Sequence, residues 1–141
     1  MGINGAEHTI YNANAAVPVL TLASCPIPDR PEGSLHLMTG VLKIKLFPSS
    51  AAHRIYKANI VDEEFHCNYE LNPVYRPQIE AGGMKFGGES MDGGARILEL
   101  PGHRFFMGTG YMPQNLSKPG KPHPIIVAFL KAALEYKKAT H

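Results

Sequence analysis

RILELPGHRFFMGTGYMPQNLSKPGKPHPIIVAFLKAALEY, residues 96–136, decides how the rest of the chain is read. Ile97-Leu98-Glu99-Leu100 and Phe105-Phe106-Met107-Gly108-Thr109 are apolar runs bounded by Pro101-Gly102 and by Gly110. That punctuation predicts two short strands joined by a tight connection. A Pro-rich turn follows. From Ile125 to Lys138, residues Ile126, Phe129, Leu130, Ala133 and Leu134 share one helical face opposite Lys131, Glu135 and Lys138. This pattern predicts a core-facing amphipathic helix.

With 141 residues, 44% of them hydrophobic, and no internal repeat, the chain is expected to form a single domain over 1–141 with a real core. Lys plus Arg number 14 against 12 Asp plus Glu, for a net charge of +2, and the longest basic run is Lys137-Lys138. Such scattered charge argues against nucleic-acid and membrane surfaces. Cys25 and Cys67 form no CxxC and no disulfide framework, which favours a reducing compartment. MGINGAEHTIYN lacks the basic start and apolar core of a secretory signal, and its Gly2 lacks the Ser or Thr that a myristoylation motif wants. No run approaches the roughly 18 apolar residues of a membrane helix. A soluble cytoplasmic protein is the expectation.

The order strand, Pro-Gly-His, strand, aromatic-X-Pro-X, Ser-X-Pro, His-Pro, helix resembles the end of the class I glutamine amidotransferase domain, most closely that of the CTP synthase type. That domain ends in a segment of the type Gln-Phe-His-Pro-Glu-Phe, a Ser-X-X-Pro loop and His-Pro before a last helix. Here the segment is Gly110-Tyr111-Met112-Pro113-Gln114-Asn115. Met112 falls where the family keeps its catalytic His, and Gln114 where it keeps the Glu that orients it. In the family a Cys thiolate attacks the glutamine amide while the His carries protons. A thioether has no titratable proton, so Met112 cannot replace that His, and a neutral Gln114 cannot steady an imidazolium.

The resemblance runs from about Gly5 to Tyr136 and covers the second half of the family's domain. It implies an α/β fold, α+β in detail: a mixed, largely antiparallel sheet flanked by helices. Gly5-Ala6-Glu7-His8-Thr9 and the run Val17 to Leu22 resemble the family's Gly-Ala-Asn-Ser-X-Glu-Phe stretch and the apolar segment after it. From the residues alone, Val19 to Ala23 fits either a strand or a buried helical turn. Ser24 to Ser34 reads as a loop, and Gly33 to Leu37 stands where the family has Gly-Gly-Thr-Met-Arg-Leu-Gly. Leu35 to Leu46 reads as a strand, half-buried in its second half; Pro48-Ser49-Ser50 starts a short helix over Ala51 to Lys57. A helix from near Asn72-Pro73 ends at Gly82-Gly83, and Met84 to Glu89 is a strand turning at Met91-Asp92-Gly93-Gly94 into another from Ala95 to Leu100.

The segment from Asn59 to Asn72 resembles the family's Ile-X-Glu-Arg-His-Arg-His-Arg-Tyr-Glu-Val-Asn. Tyr69-Glu70-Leu71-Asn72 keeps its frame, whereas Glu64, Phe65, His66, Cys67 and Asn68 replace the basic run. In the family those arginines lie beside the glutamine pocket, where a guanidinium pairs with the substrate carboxylate. Without them a free α-amino acid should bind poorly. Glu64 and Asn68 read equally well as surface strand residues, and Cys67 as a small packing residue. The resemblance marks His66, Cys67, Tyr69, Glu70, Met112 and Gln114 as a candidate pocket suited to a neutral, partly apolar small molecule.

The histidines, at 8, 36, 53, 66, 103, 123 and 141, make no i, i+4 pair with a third ligand nearby, so neither a metal nor a cofactor is expected. His103 and His123 match loop positions of the family. Neither Cys25 nor Cys67 has the flanking glycines of a nucleophile elbow. The expectation is a protein without glutaminase activity. It acts either as an interaction or regulatory pseudoenzyme, or as an enzyme repurposed to a neutral small molecule in the old glutamine cleft; half of a split glutaminase is a third reading. A chain with only the second half of the fold leaves sheet edges and an apolar face uncovered. A homo-oligomer, most simply a dimer, or a complex with a second subunit is therefore expected. The strands Leu35–Leu46 and Phe105–Thr109 are expected to border the missing elements.

Overall fold

The computed structural model describes residues 2–23, 39–66 and 68–140. Eight strands and three α-helices follow in order: β1 (Glu7–His8), β2 (Pro18–Leu22), β3 (Thr39–Leu46), α1 (Ala51–Tyr56), β4 (Ile60–His66), β5 (Tyr69–Leu71), α2 (Arg76–Ala81), β6 (Lys85–Ser90), β7 (Ala95–Glu99), β8 (Met107–Thr109) and α3 (Pro124–Thr140). They build a three-stranded sheet, β1-β2-β5, and a five-stranded sheet, β4-β3-β6-β7-β8. Only the β1–β2 pair is parallel among the described strands; the rest are antiparallel, as the mixed, largely antiparallel α/β expectation requires.

Local chemistry explains most of these elements. In β3 the period-2 alternation puts Ile44 and Leu46 in the core and Lys43 and Lys45 in water. The Ser50 side chain accepts from the His53 N–H at 2.9 Å and starts α1. Lys57 ends it in the left-handed region at φ 55°. Asn72 caps a short 3₁₀ turn, Pro73–Tyr75, that leads into α2. The β6–β7 hairpin turns through Gly93 at φ 89°, a value that glycine adopts without a Cβ penalty.

The large sheet buries both faces. On one, Ile44, Leu46 and Ile97 pack with Ala52 of α1, Tyr111 and Ile125. On the other, Phe86 packs with Ile79 of α2 and Met84. Glu99 of β7 turns into the first face and accepts the Ala51 and Ala52 N–H groups at 2.8 and 2.7 Å, satisfying donors that the start of α1 leaves open. Gly87 is required opposite it, because a Cβ there would collide with the Glu99 carboxylate and come within 2.9 Å of Ile97.

Three expectations are corrected. The strand ending at Leu46 is not a border strand: β3 lies inside the sheet, between β4 and β6, whereas β8 does lie at an edge. The link between β7 and β8 is a seven-residue loop from Leu100 to Phe106 rather than a tight connection, and β8 starts at Met107. The face of α3 is also not core-facing along its length. Ile125 is buried, but Phe129, Leu130 and Leu134 are 52, 53 and 58% exposed, because α3 packs on α1 and on the turn after β8 through its early residues and then runs past the core. Cys25, Cys67, the Ser24–Ser34 loop and the start of the Leu35–Leu46 strand fall wholly or in part outside the described residues. No described helix is long and apolar enough to cross a membrane.

Candidate functional site

The chain leaving β8 ties the two opposite edges of the large sheet together. Gly110 donates its N–H to the Arg96 carbonyl of β7 at 2.8 Å, and two residues later Met112 donates to the Glu64 carbonyl of β4 at 2.9 Å. Since β8 and β4 are the outer strands, the sheet curls until Tyr111 and Met112 bridge it. A 3₁₀ turn, Pro113–Leu116, follows along β4. Met112 is half-buried at this seam and Gln114 is exposed.

Inside the curl four side chains form a buried polar cluster. The Tyr56 O–H lies 2.6 Å from Glu63 Oε1, His123 Nε2 lies 2.9 Å from the same oxygen, and the Tyr111 and Tyr56 hydroxyls are 3.0 Å apart. The hydrogens can be ordered from geometry. Ile125 donates its backbone N–H to His123 Nδ1 at 3.3 Å, so that nitrogen is the acceptor and Nε2 carries the proton toward Glu63. Tyr56 spends its one hydrogen on Glu63 and therefore accepts from Tyr111. The other carboxylate oxygen, Glu63 Oε2, is buried with no hydrogen-bond partner among the described residues.

Burial, foremost, pushes both phenols well above the ordinary tyrosine value of 10.0; for Tyr56 the neighbouring Tyr111 and the bond to Glu63 add to it. A folded-state pKa raised above the unfolded one means stability that is complete below the unfolded value and is lost as pH rises past it. Urea midpoints are therefore expected to fall steadily above about pH 10. The Tyr56→Phe/Tyr111→Phe variant should show a flatter decline, and an identical alkaline loss in parent and variant would contradict this.

The candidate pocket residues are only partly gathered. His66 ends β4, two residues beyond the Glu64 that holds Met112, and is exposed. Tyr69 belongs to the small sheet and meets the His8 ring edge-on at 4.5 Å. Glu70 is buried in an ion pair with Arg96 at 3.2 Å, and Arg96 also donates to Ser90 Oγ. Glu70 lines a cleft of about 160 Å³ with Leu71, Pro73, Arg76 and Asp92–Ala95, which includes neither Tyr69, Met112 nor Gln114. Asn68 is buried rather than on the surface. Cys67 lies outside the described residues. Among the described residues no group of three His, Cys, Asp or Glu side chains is placed to hold a metal.

The comparisons with known proteins meet this geometry. The chain is 35% identical to the CTP synthase of Pelotomaculum thermopropionicum over 147 aligned positions, and 35% and 31% identical to those of Archaeoglobus fulgidus and Staphylococcus epidermidis. The alignments cover 98–100% of this chain and 26% of each relative. The solved glutaminase domain of Trypanosoma brucei CTP synthase, with bound acivicin, superposes on it with a TM-score of 0.82 at 25% identity. The chain is a homologue of the glutaminase part of CTP synthase. It has that glutaminase's class I amidotransferase fold, covering 52% of the solved domain with 95% of its own length. It spans about a quarter of the length of the curated CTP synthases it matches. No family model matches it.

Within this glutaminase fold, Met112 and Gln114 lie in the segment after β8. The Tyr56–Glu63–Tyr111–His123 cluster was not legible as a unit, because its members are up to 67 positions apart. Of its members the resemblance marks only His123, as a loop position of the family.

Proposed function

We propose that the chain is a CTP synthase-type glutaminase-like protein that does not hydrolyse glutamine and acts through association, as an interaction or regulatory pseudoenzyme. The observation that supports it is Met112 and Gln114 in the segment after β8, which the resemblance aligns with the family's proton-carrying His and its orienting Glu. Met112 is held at the seam by its own N–H bond to Glu64, so this position is a fixed part of the fold. A thioether there has no proton to give or take. The stretch Glu64-Phe65-His66 offers no guanidinium to a substrate carboxylate. The repurposed-enzyme alternative draws less support, because Glu70 is engaged by Arg96 rather than turned toward Met112. The reading takes the protein to act in the cytoplasm, a setting suited to two cysteines outside any disulfide framework.

Calorimetric titration with L-glutamine is expected to show no saturable binding up to about 10 mM. A saturable isotherm below that concentration would argue for a working amino-acid site.

Association with a second copy belongs to the same proposal. Phe129, Leu130 and Leu134 on α3 expose apolar surface whose burial is worth about 25 cal/mol per Å². A two-fold dimer that covers this face on both copies is the simplest closed arrangement. Sedimentation at micromolar concentration should give a dimer that Leu130→Glu with Leu134→Glu converts to a folded monomer. A parent chain that stays monomeric would remove the dimer from the proposal.

A further inference from the structure

A cleft of about 320 Å³ opens between the approach to α1 and the β7–β8 loop, and its lining includes neither Met112 nor Gln114. Its size is at the lower end for small-molecule sites. Arg54, Lys85 and Arg104 line it, and none has a carboxylate within ion-pair distance among the described residues. Arg54 donates instead to the Ser49 carbonyl, and Arg104 lies over the Tyr136 ring at 3.8 Å from its centre. Among the described residues the one acid in the lining is Glu99, and both its oxygens accept from the Ala51 and Ala52 N–H groups, so three cations face a single carboxylate. The field in the cleft is therefore positive, and low-dielectric walls concentrate it.

Those walls are partly aromatic. Phe47, Phe105 and Phe106 all contribute, and Phe106 is half-exposed. Flat apolar surface beside uncompensated cations matches a ligand with a planar ring and a terminal anion: the ring covers the phenylalanines, and an Arg fork or Lys head meets the charge. We infer that this cleft binds a small aromatic anion, a carboxylate or phosphate monoester carried on a planar ring. The inference does not rest on the loss of glutaminase chemistry.

The test is an NMR titration of the ¹⁵N-labelled chain with phenyl phosphate and benzoate, with benzyl alcohol and inorganic phosphate as controls. Saturable shifts are expected at Ser50, Lys85, Gly102 and Arg104 for at least one of the two aromatic anions, with Kd about 1 mM or tighter and about tenfold weaker binding of each control. The response of the two anions distinguishes phosphate from carboxylate as the preferred group. Lys85→Glu and Phe106→Ser, both at exposed positions, should each weaken binding about tenfold, whereas Lys131→Glu on α3 should leave it within about twofold. The absence of saturation with both anions, shifts confined to other surfaces, equal binding of either control, or an equal loss in Lys131→Glu would each overturn the inference.

Discussion

Replacing Glu63 by leucine is expected to cost about 3 kcal/mol, lowering Tm by about 10 °C for a chain of this size. Two effects compete. The substitution removes a buried carboxylate that is 2% exposed and has one oxygen without a partner among the described residues, which favours the variant. It also strips the acceptor from the Tyr56 O–H and from His123 Nε2–H, each orphan costing about 1–3 kcal/mol. The histidine cannot absorb the loss by moving its proton to Nδ1, because the Ile125 N–H would then face a donor. The orphan terms therefore win. Glu63→Gln keeps an acceptor oxygen and should cost less. The apolar quadruple Tyr56→Phe/Glu63→Leu/Tyr111→Phe/His123→Leu should recover part of the loss, since it removes the side-chain donors along with the acceptor. A Glu63→Leu protein melting within about 2 °C of the parent would show that the cluster adds nothing to stability.

Glu70→Leu is expected to be at least as severe, about 3–5 kcal/mol, read as a drop in the urea midpoint at unchanged slope. The Arg96 guanidinium is always charged, is 5% exposed and sits between the two sheets. It keeps its bond to Ser90 Oγ but loses the Glu70 carboxylate that pairs with it. Removing both partners, as Glu70→Leu with Arg96→Met, should restore most of the stability, because an apolar pair of similar volume escapes the desolvation cost. A double variant whose loss equals the sum of the two singles would mean that Glu70 and Arg96 are not coupled.

This ion pair shows where sequence reading stops. Glu70 lies in a frame shared with the family and was read as a pocket residue, but only the packing of β5 against β7 reveals that Arg96, 26 positions later, claims its side chain. Elements whose reasons are local were legible: the Ser50 cap of α1, the Gly93 turn of the β6–β7 hairpin and the alternation of Ile44 and Leu46 with Lys43 and Lys45 each follow from a few neighbouring residues. Strand order is not local. Putting β3 between β4 and β6 depends on a crossover past α1 and β4 that no short pattern encodes. The α3 pattern gave the helix and its apolar face correctly, since periodicity reports which residues share a face. It does not report how much packs there: Phe129 meets the Phe105 ring edge-on at 5.6 Å but stays half-exposed, as do Leu130 and Leu134. Met112 and Gln114 were legible by position alone, through the family's segment after the last strand. Their setting at the curl of the sheet was not, because it rests on one backbone bond to Glu64, 48 residues away in sequence.

The central claim, that a glutaminase fold persists here without the glutaminase reaction, is met most directly by measuring ammonia release from L-glutamine with the purified chain across neutral and mildly alkaline pH. The account predicts a rate equal to the buffer blank at every protein concentration, because it proposes Met112 at the position that must carry the proton and Gln114 at the one that must orient it. Ammonia release above the blank that rises in proportion to the amount of chain would contradict it.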